Sequence, residues 1–166
     1  MEHLFPLYSA MPPDMIRVIN SCKSVMPAMV NLPHTLSRIT DKAVPVEICP
    51  FCEGRVALVN NACFYGGREY GWPLAYACDD CGARVGCHPG STVPLGTLAD
   101  KQTQAARKMA HDAFDPIWKA SALPGARRRA YAALAKAMGG VAHISSMNVT
   151  QCTKVVAICA RGGLTL

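Results

Sequence analysis

The densest chemistry in the sequence lies in two short runs, CPFCEGRV at 49–56 and CDDCGARV at 78–85. Aligned, they repeat Cys-x-x-Cys-x-x-Arg-Val. A two-residue gap lets a tight turn aim both sulfurs at one point, and two such turns supply the four thiolates of a closed, tetrahedral Zn²⁺ site. Cys49, Cys52, Cys78 and Cys81 are therefore the expected ligands of one structural ion. Redox-active or merely buried thiols are the competing reading, and the same spacing on both sides of a β-prone segment argues against it. The 25 residues between the pairs exceed the common interval of about 15–20, so two hairpin strands must absorb the excess. Gly54 and Gly82 follow the turns, where a positive φ and close backbone approach are expected. Four thiolates on a divalent cation leave a formal double negative charge, so Arg55 and Arg84 are expected to donate hydrogen bonds around the site. So small a module has little core of its own, and metal binding should supply most of its folding energy, on the order of 10–16 kcal/mol.

The run GCHPG at 86–90 holds Cys87 and His88. They read either as ligands of a second metal, as a nucleophile and base, or more plainly as a packed strand residue and a turn residue before Pro89. Adjacent strand residues point to opposite faces, and a catalytic pair needs a third group to orient the base. His111 could meet His88 in space and give a zinc- or magnesium-dependent nuclease its histidines. Cys152 and Cys159, seven apart on one helix, read as packing residues, as do Cys22 and Cys63 within apolar patterns. His143 reads as a residue satisfying a backbone group; His3 and His34 carry no signal.

Charge divides unevenly. Residues 1–100 carry seven Lys/Arg against nine Asp/Glu, whereas 101–166 carry ten against only Asp112 and Asp115. Arg107, Lys108, Lys119, Arg127, Arg128, Arg129 and Lys136 thus form a candidate cationic face for a polyanion. Three successive arginines fan across about 200° of a helix and cannot all be buried. A solvated surface and a protein-docking face are the alternatives. Base-specific readout is not indicated, because no helix gathers Arg, Asn and Gln at groove-reading positions.

The elements that must position these groups follow from periodicity. Met15, Ile16, Ile19, Cys22 and Met26 predict one amphipathic helix between Pro13 and Pro27. Pro27 to Pro45 shows no sustained period and reads as a linker. From 46 to 93 the runs VEI, RVALV, ACFY and PLAYA predict short strands, with turns at Asn60-Asn61 and Gly66-Gly67. Pro73 makes the last run an edge strand or delays its start. A helix capped by Thr97 and Asp100 should bury Leu98, Ala105, Ala106, Met109, Ala110, Ala113 and Phe114, with Asp115-Pro116 breaking or restarting it. A second helix runs from near Pro124 to Met138 and stops at Gly139-Gly140. Asn148 with Gln151 predicts the cap of a third.

At 166 residues, with 51% hydrophobic and 17% charged residues, the composition is that of a globular protein, not a disordered one. No apolar run reaches the roughly 18 residues of a membrane span. The start MEHLFPLYSA carries a glutamate where a secretory peptide would be positive, and GGLTL matches no lipidation signal. Nine cysteines clustered in pairs suit metal ligation in a reducing cytoplasm better than a disulfide framework.

Taken together, CPFC…YGW…CDDCGARVGCHPGSTVPLGTLAD…AHDAFDPIW resembles the phage and prophage "zinc-finger-containing domain" family of small proteins, over about residues 46–160. The resemblance implies a zinc ribbon followed by helices, with Cys49, Cys52, Cys78 and Cys81 as ligands and Gly86 to Gly90 as a motif without an assigned role. Two positions depart from the family pattern: Pro73 stands where a β-former is expected, and Ala142 where a cysteine is common. The expected architecture is α+β, with an N-terminal helical extension and linker (1–45), a small antiparallel zinc ribbon (46–96) and a basic three-helix unit (97–166). The expected function is that of a phage-encoded, non-enzymatic structural-zinc protein binding nucleic acid through phosphates. A host-directed adaptor or inhibitor anchored by Trp118, Tyr131 and the arginines is the alternative, and the nuclease the third.

Overall fold

The computed structural model describes residues 5–140 and 142–164; His3 and the last two residues of the GGLTL terminus lie outside them. The chain forms an α+β protein with a three-stranded antiparallel sheet, divided into two compact units, Met1–Asp100 and Lys101–Leu166.

In the first unit, α1 (Pro13–Ser21) starts with proline at its first position and Asp14 in its first turn, both suited to a helix N-terminus. It ends well short of Pro27. Cys22 turns extended, and the next two amides, Lys23 and Ser24, donate to the Glu69 carboxylate at 2.6 and 2.9 Å. A side chain from the ribbon thus captures the N–H groups that would have continued the helix. Residues 27–45 are no bare linker. Pro27 and Pro33 open short helical turns at Pro27–Met29 and at α2 (Pro33–Leu36). Between them Asn31, fully buried in a left-handed conformation at φ 58°, donates to Pro6 O and Thr92 Oγ1 and accepts from Thr92 N. Ile19, Cys22, Val25 and Val30 share one hydrophobic cluster with Val56, Leu58, Leu74, Tyr76, Ala83, Cys87 and Leu98. Leu98, expected on the following helix, is part of this core.

The sheet runs β1 (Val56–Asn60), β2 (Leu74–Cys78), β3 (Arg84–Gly86), in that order. Leu58 pairs with Tyr76 and Tyr76 with Val85, so these side chains share a face. Pro73 delays β2 by one residue without making it an edge: β2 is central and all five of its residues are buried. Two expected strands are absent from the described residues. VEI contributes only a bridge at Ile48, and ACFY begins with a helical turn, Asn61–Cys63. The asparagines are responsible for the second. Asn60 accepts from Ala62 N and caps that turn, while Asn61 donates to Tyr70 O and Trp72 O and accepts from Tyr70 N. Side-chain hydrogen bonds of this kind offer the backbone an alternative to a ladder.

The second unit contains α3 (Lys101–Lys119), α4 (Ala126–Met138) and α5 (Val149–Ala160). Its core is built from Ala110, Phe114, Ala130, Leu134, Ile144, Met147, Cys152 and Val155. Pro116 neither breaks nor restarts α3; it lies inside it. Ile117 and Trp118, packed against the core, hold the helix through the proline at the cost of one backbone bond. The buried face of α3 is Thr103, Ala110 and Phe114, leaving Met109 exposed against expectation. Alanine-rich stretches satisfy several helical phases equally, and here Phe114 sets the phase. Gly139, left-handed at φ 80°, ends α4, and Asn148 with Gln151 forms a complete capping box on α5.

Candidate metal centre

Each cysteine pair sits on a tight turn closed by matching backbone bonds. Cys49 N donates to Gly54 O, and Cys78 N to Ala83 O, both at 2.8 Å. The left-handed position in each turn is the residue directly after the second cysteine. In one turn that is Gly82, at φ 71°; in the other it is Glu53, at φ 61°, not Gly54 as expected. Gly54 meets the other expectation, close approach: a Cβ there would run into the Asp80 carboxylate of the opposite turn. The two knuckles approach so closely that a side chain at Gly54 would have to push the exposed Asp80 carboxylate aside.

β1 and β2 carry the turns together, since Val56 pairs directly with Cys78. The four sulfurs lie within 4.8 Å of one another, with Cys49–Cys81 at 3.6 Å and Cys52–Cys78 at 3.4 Å. A tetrahedron with Zn–S bonds of about 2.3 Å has sulfur–sulfur edges of about 3.8 Å, so a Zn²⁺ fits with small adjustments. Cys49 and Cys78 are buried; Cys52 and Cys81 are exposed. The N–H groups of Cys81 and Asp80, aimed at Cys78, lower its thiol to about 7. At Cys52 the Gly54 N–H works the same way, but the sulfurs of Cys81 and Cys78 outweigh it and push that thiol up to about 12. Such crowded sulfurs cannot all ionise alone, and a divalent cation supplies the charge that lets them. Among the described residues no other group of His, Cys, Asp or Glu is arranged to hold a metal.

The arginines after each pair turn elsewhere. Arg55 Nε donates to Asp79 Oδ2 at 3.1 Å, and the Arg84 guanidinium lies 4.7 Å from the centre of the Phe64 ring. Cys87 is buried in the ribbon core, and desolvation raises its thiol, which makes it a poor nucleophile. His88 is half-buried; desolvation lowers its pKa against the opposing pull of Asp41. His111 belongs to a surface cluster on α3, with Nδ1 3.2 Å from Asp115 Oδ1. Trp118 Nε1 and Lys119 Nζ also donate to Asp115. Burial works to raise the Asp115 carboxyl, but Lys119, His111 and Trp118 outweigh it and hold it below the usual range.

The two acids of the second unit thus serve three basic side chains. Asp112 pairs with Lys108 at 2.6 Å, and Asp115 with Lys119 at 3.0 Å and with His111. Arg107 Nε donates to Met147 O at 2.9 Å, a structural bond. Arg127, Arg128, Arg129 and Lys136 are exposed and make no ion pair among the described residues. Arg127 is flanked by Trp118 and Tyr131, 5.6 and 5.5 Å from their ring centres. Glu69, which draws no notice in the sequence, joins the ribbon to the N-terminal segment by accepting from Lys23, Ser24 and Asn60. No periodic pattern marks such a residue.

Two cysteine knuckles at the end of a small antiparallel sheet, with four sulfurs at tetrahedral separations, define a zinc-ribbon protein. The family model for the zinc-finger-containing domain matches residues 45–162, most of the chain, and the protein belongs to that family. No curated protein and no solved structure matches the chain. Cys49, Cys52, Cys78 and Cys81 hold one structural Zn²⁺. With all four positions taken by protein, the ion has no open site for substrate and serves the fold.

Proposed function

We propose that the protein binds nucleic acid without sequence preference through phosphate contacts of α4, with the zinc ribbon in a structural, non-enzymatic role. The observation that carries this reading is the exposed set Arg127, Arg128, Arg129 and Lys136, which lacks carboxylate partners among the described residues. Arg129 and Lys136, seven residues apart, project from the same flank of the helix, about 110° around it from the stripe of buried Ala126, Ala130 and Leu134. The three arginines stand in the first turns of α4, where the positive end of the helix disfavours cations, and Gly125 offers no side-chain cap. Stability does not call for arginines at that end; a polyanion does. Lys108, Lys119 and Arg107, committed to partners within the unit, contribute less than their charge suggests.

Electrophoretic mobility titrations across salt test the proposal. Replacing Arg128, Arg129 and Lys136 by alanine should weaken binding uniformly across sequences and reduce the salt slope by about three. Wild-type affinity that does not change between low and moderate salt refutes it. The adaptor reading has less support, because its anchors Trp118 and Tyr131 pack on the core and flank Arg127. The nuclease reading has less again: Asp41 accompanies His88, Asp115 accompanies His111, and neither histidine belongs to a metal-holding group among the described residues. A phage or prophage origin belongs to this proposal through the sequence resemblance, and a reducing cytoplasm suits nine cysteines of which none forms a disulfide.

A further inference from the structure

The connection between β1 and β2 is braced, yet it holds its aromatic side chains out to solvent. Asn61 bonds both Tyr70 and Trp72, Gly67 N donates to Ala62 O, and Glu69 is held by four donors. On this frame Tyr70 is 74% exposed and Tyr65 48% exposed, their ring centres 5.6 Å apart at a tilt of 49°. Phe64 meets Tyr65 edge-on at 6.3 Å, and Arg84 lies over Phe64 at 4.7 Å. A fixed loop that forgoes burying two tyrosines keeps large, rigid apolar faces available for a partner.

The surrounding charge narrows the partner. Arg68 is exposed in the same loop, and neither it nor Arg84 makes an ion pair among the described residues. Glu69, the acid of the loop, has its carboxylate already occupied by backbone and side-chain donors. Open tyrosine faces beside guanidinium groups that hold no carboxylate match unstacked bases and their phosphates. We propose that Phe64, Tyr65 and Tyr70, with Arg68 and Arg84, form a stacking platform for unpaired bases, so that the nucleic acid bound is single-stranded. The inference rests on the phosphate-binding reading above and adds what that reading lacks, a means of telling a single strand from a duplex, which hides its base faces.

The test uses the full, zinc-loaded chain and fluorescence anisotropy with labelled oligothymidylate and a duplex of equal length. Zinc content and melting temperature confirm that each variant is folded. The double variant Tyr65→Ala, Tyr70→Ala should bind oligothymidylate about tenfold more weakly and the duplex unchanged. The double variant Tyr65→Phe, Tyr70→Phe, which keeps the ring faces, should bind like wild type. If the alanine variant binds oligothymidylate like wild type while the Arg128, Arg129 and Lys136 variant is weakened, the platform is refuted and the phosphate reading stands. Wild type that prefers the duplex also refutes the platform. Wild type that binds neither probe overturns both proposals and leaves the tyrosines to a protein partner.

Discussion

Replacing Glu69 by glutamine removes one charge and one acceptor from the point where the N-terminal segment meets the ribbon. One carboxylate oxygen accepts from Lys23 N and Asn60 Nδ2, the other from Ser24 N and Ser24 Oγ. An amide nitrogen in the first position leaves two donors facing a donor; in the second it leaves the Ser24 N–H facing one, while the Ser24 hydroxyl can turn to accept. The same bonds, Ser24 first, hold the Glu69 carboxyl down from 4.5 to about 2. At about 1.4 kcal/mol per decade that fall sets a ceiling of about 3.5 kcal/mol. Glu69 is only half-buried, and solvent screening brings the expected loss to about 1.5–2 kcal/mol. Because the folded-state value lies below the unfolded one, the contribution is complete above about pH 5 and is lost only as pH falls toward about 2. Urea unfolding of zinc-loaded wild type and Glu69→Gln should therefore show a constant gap from about pH 8 down to about pH 5. Hydrogen exchange should show the Lys23 and Ser24 amides deprotected in the variant. A gap under about 0.5 kcal/mol at neutral pH, with both amides still protected, would refute the reasoning.

Metal analysis should find one zinc per chain, and Co²⁺ in its place should give the absorption of a four-thiolate site; a strong chelator or Cys78→Ser should unfold the ribbon, as circular dichroism would show. Leu134→Ala empties a fully buried position in the second unit and should cost about 3–5 kcal/mol by chemical denaturation while leaving the zinc stoichiometry unchanged. Asn148→Ala removes the side-chain acceptor of the α5 capping box and should cost about 1 kcal/mol in the same assay, with Asn148→Asp restoring most of it.

Some of this was written in local sequence and some was not. The ligand set was legible because tetrahedral thiolate chemistry demands a spacing that two short runs display twice. The ends of α4 and the cap of α5 were legible because glycine and asparagine act on their nearest backbone neighbours. By contrast, α1 stops at Ser21 because a glutamate from a distant loop takes the next two amides, and Asn31 is buried because Thr92 answers it. Asn60 and Asn61, which spell a hairpin turn, instead organise a longer loop, since their bonds reach residues up to Trp72. Close approach at Gly54 was legible from its place after the turn, but that the neighbour is Asp80 was decided across the site.

The charge excess shows the same division. Ten basic residues against two acids can be counted from the sequence, but which cations stay uncommitted cannot. Helical spacing places Asp112 and Asp115 within reach of Lys108, His111 and Lys119, and packing directs Arg107 to the Met147 carbonyl. The sequence by itself determined the chemistry of the metal site, because ligation depends on residue type and short-range spacing. Tertiary structure decided what local spacing could not, such as the engagement of Arg107 and Glu69, because that depends on what distant segments of chain have already claimed.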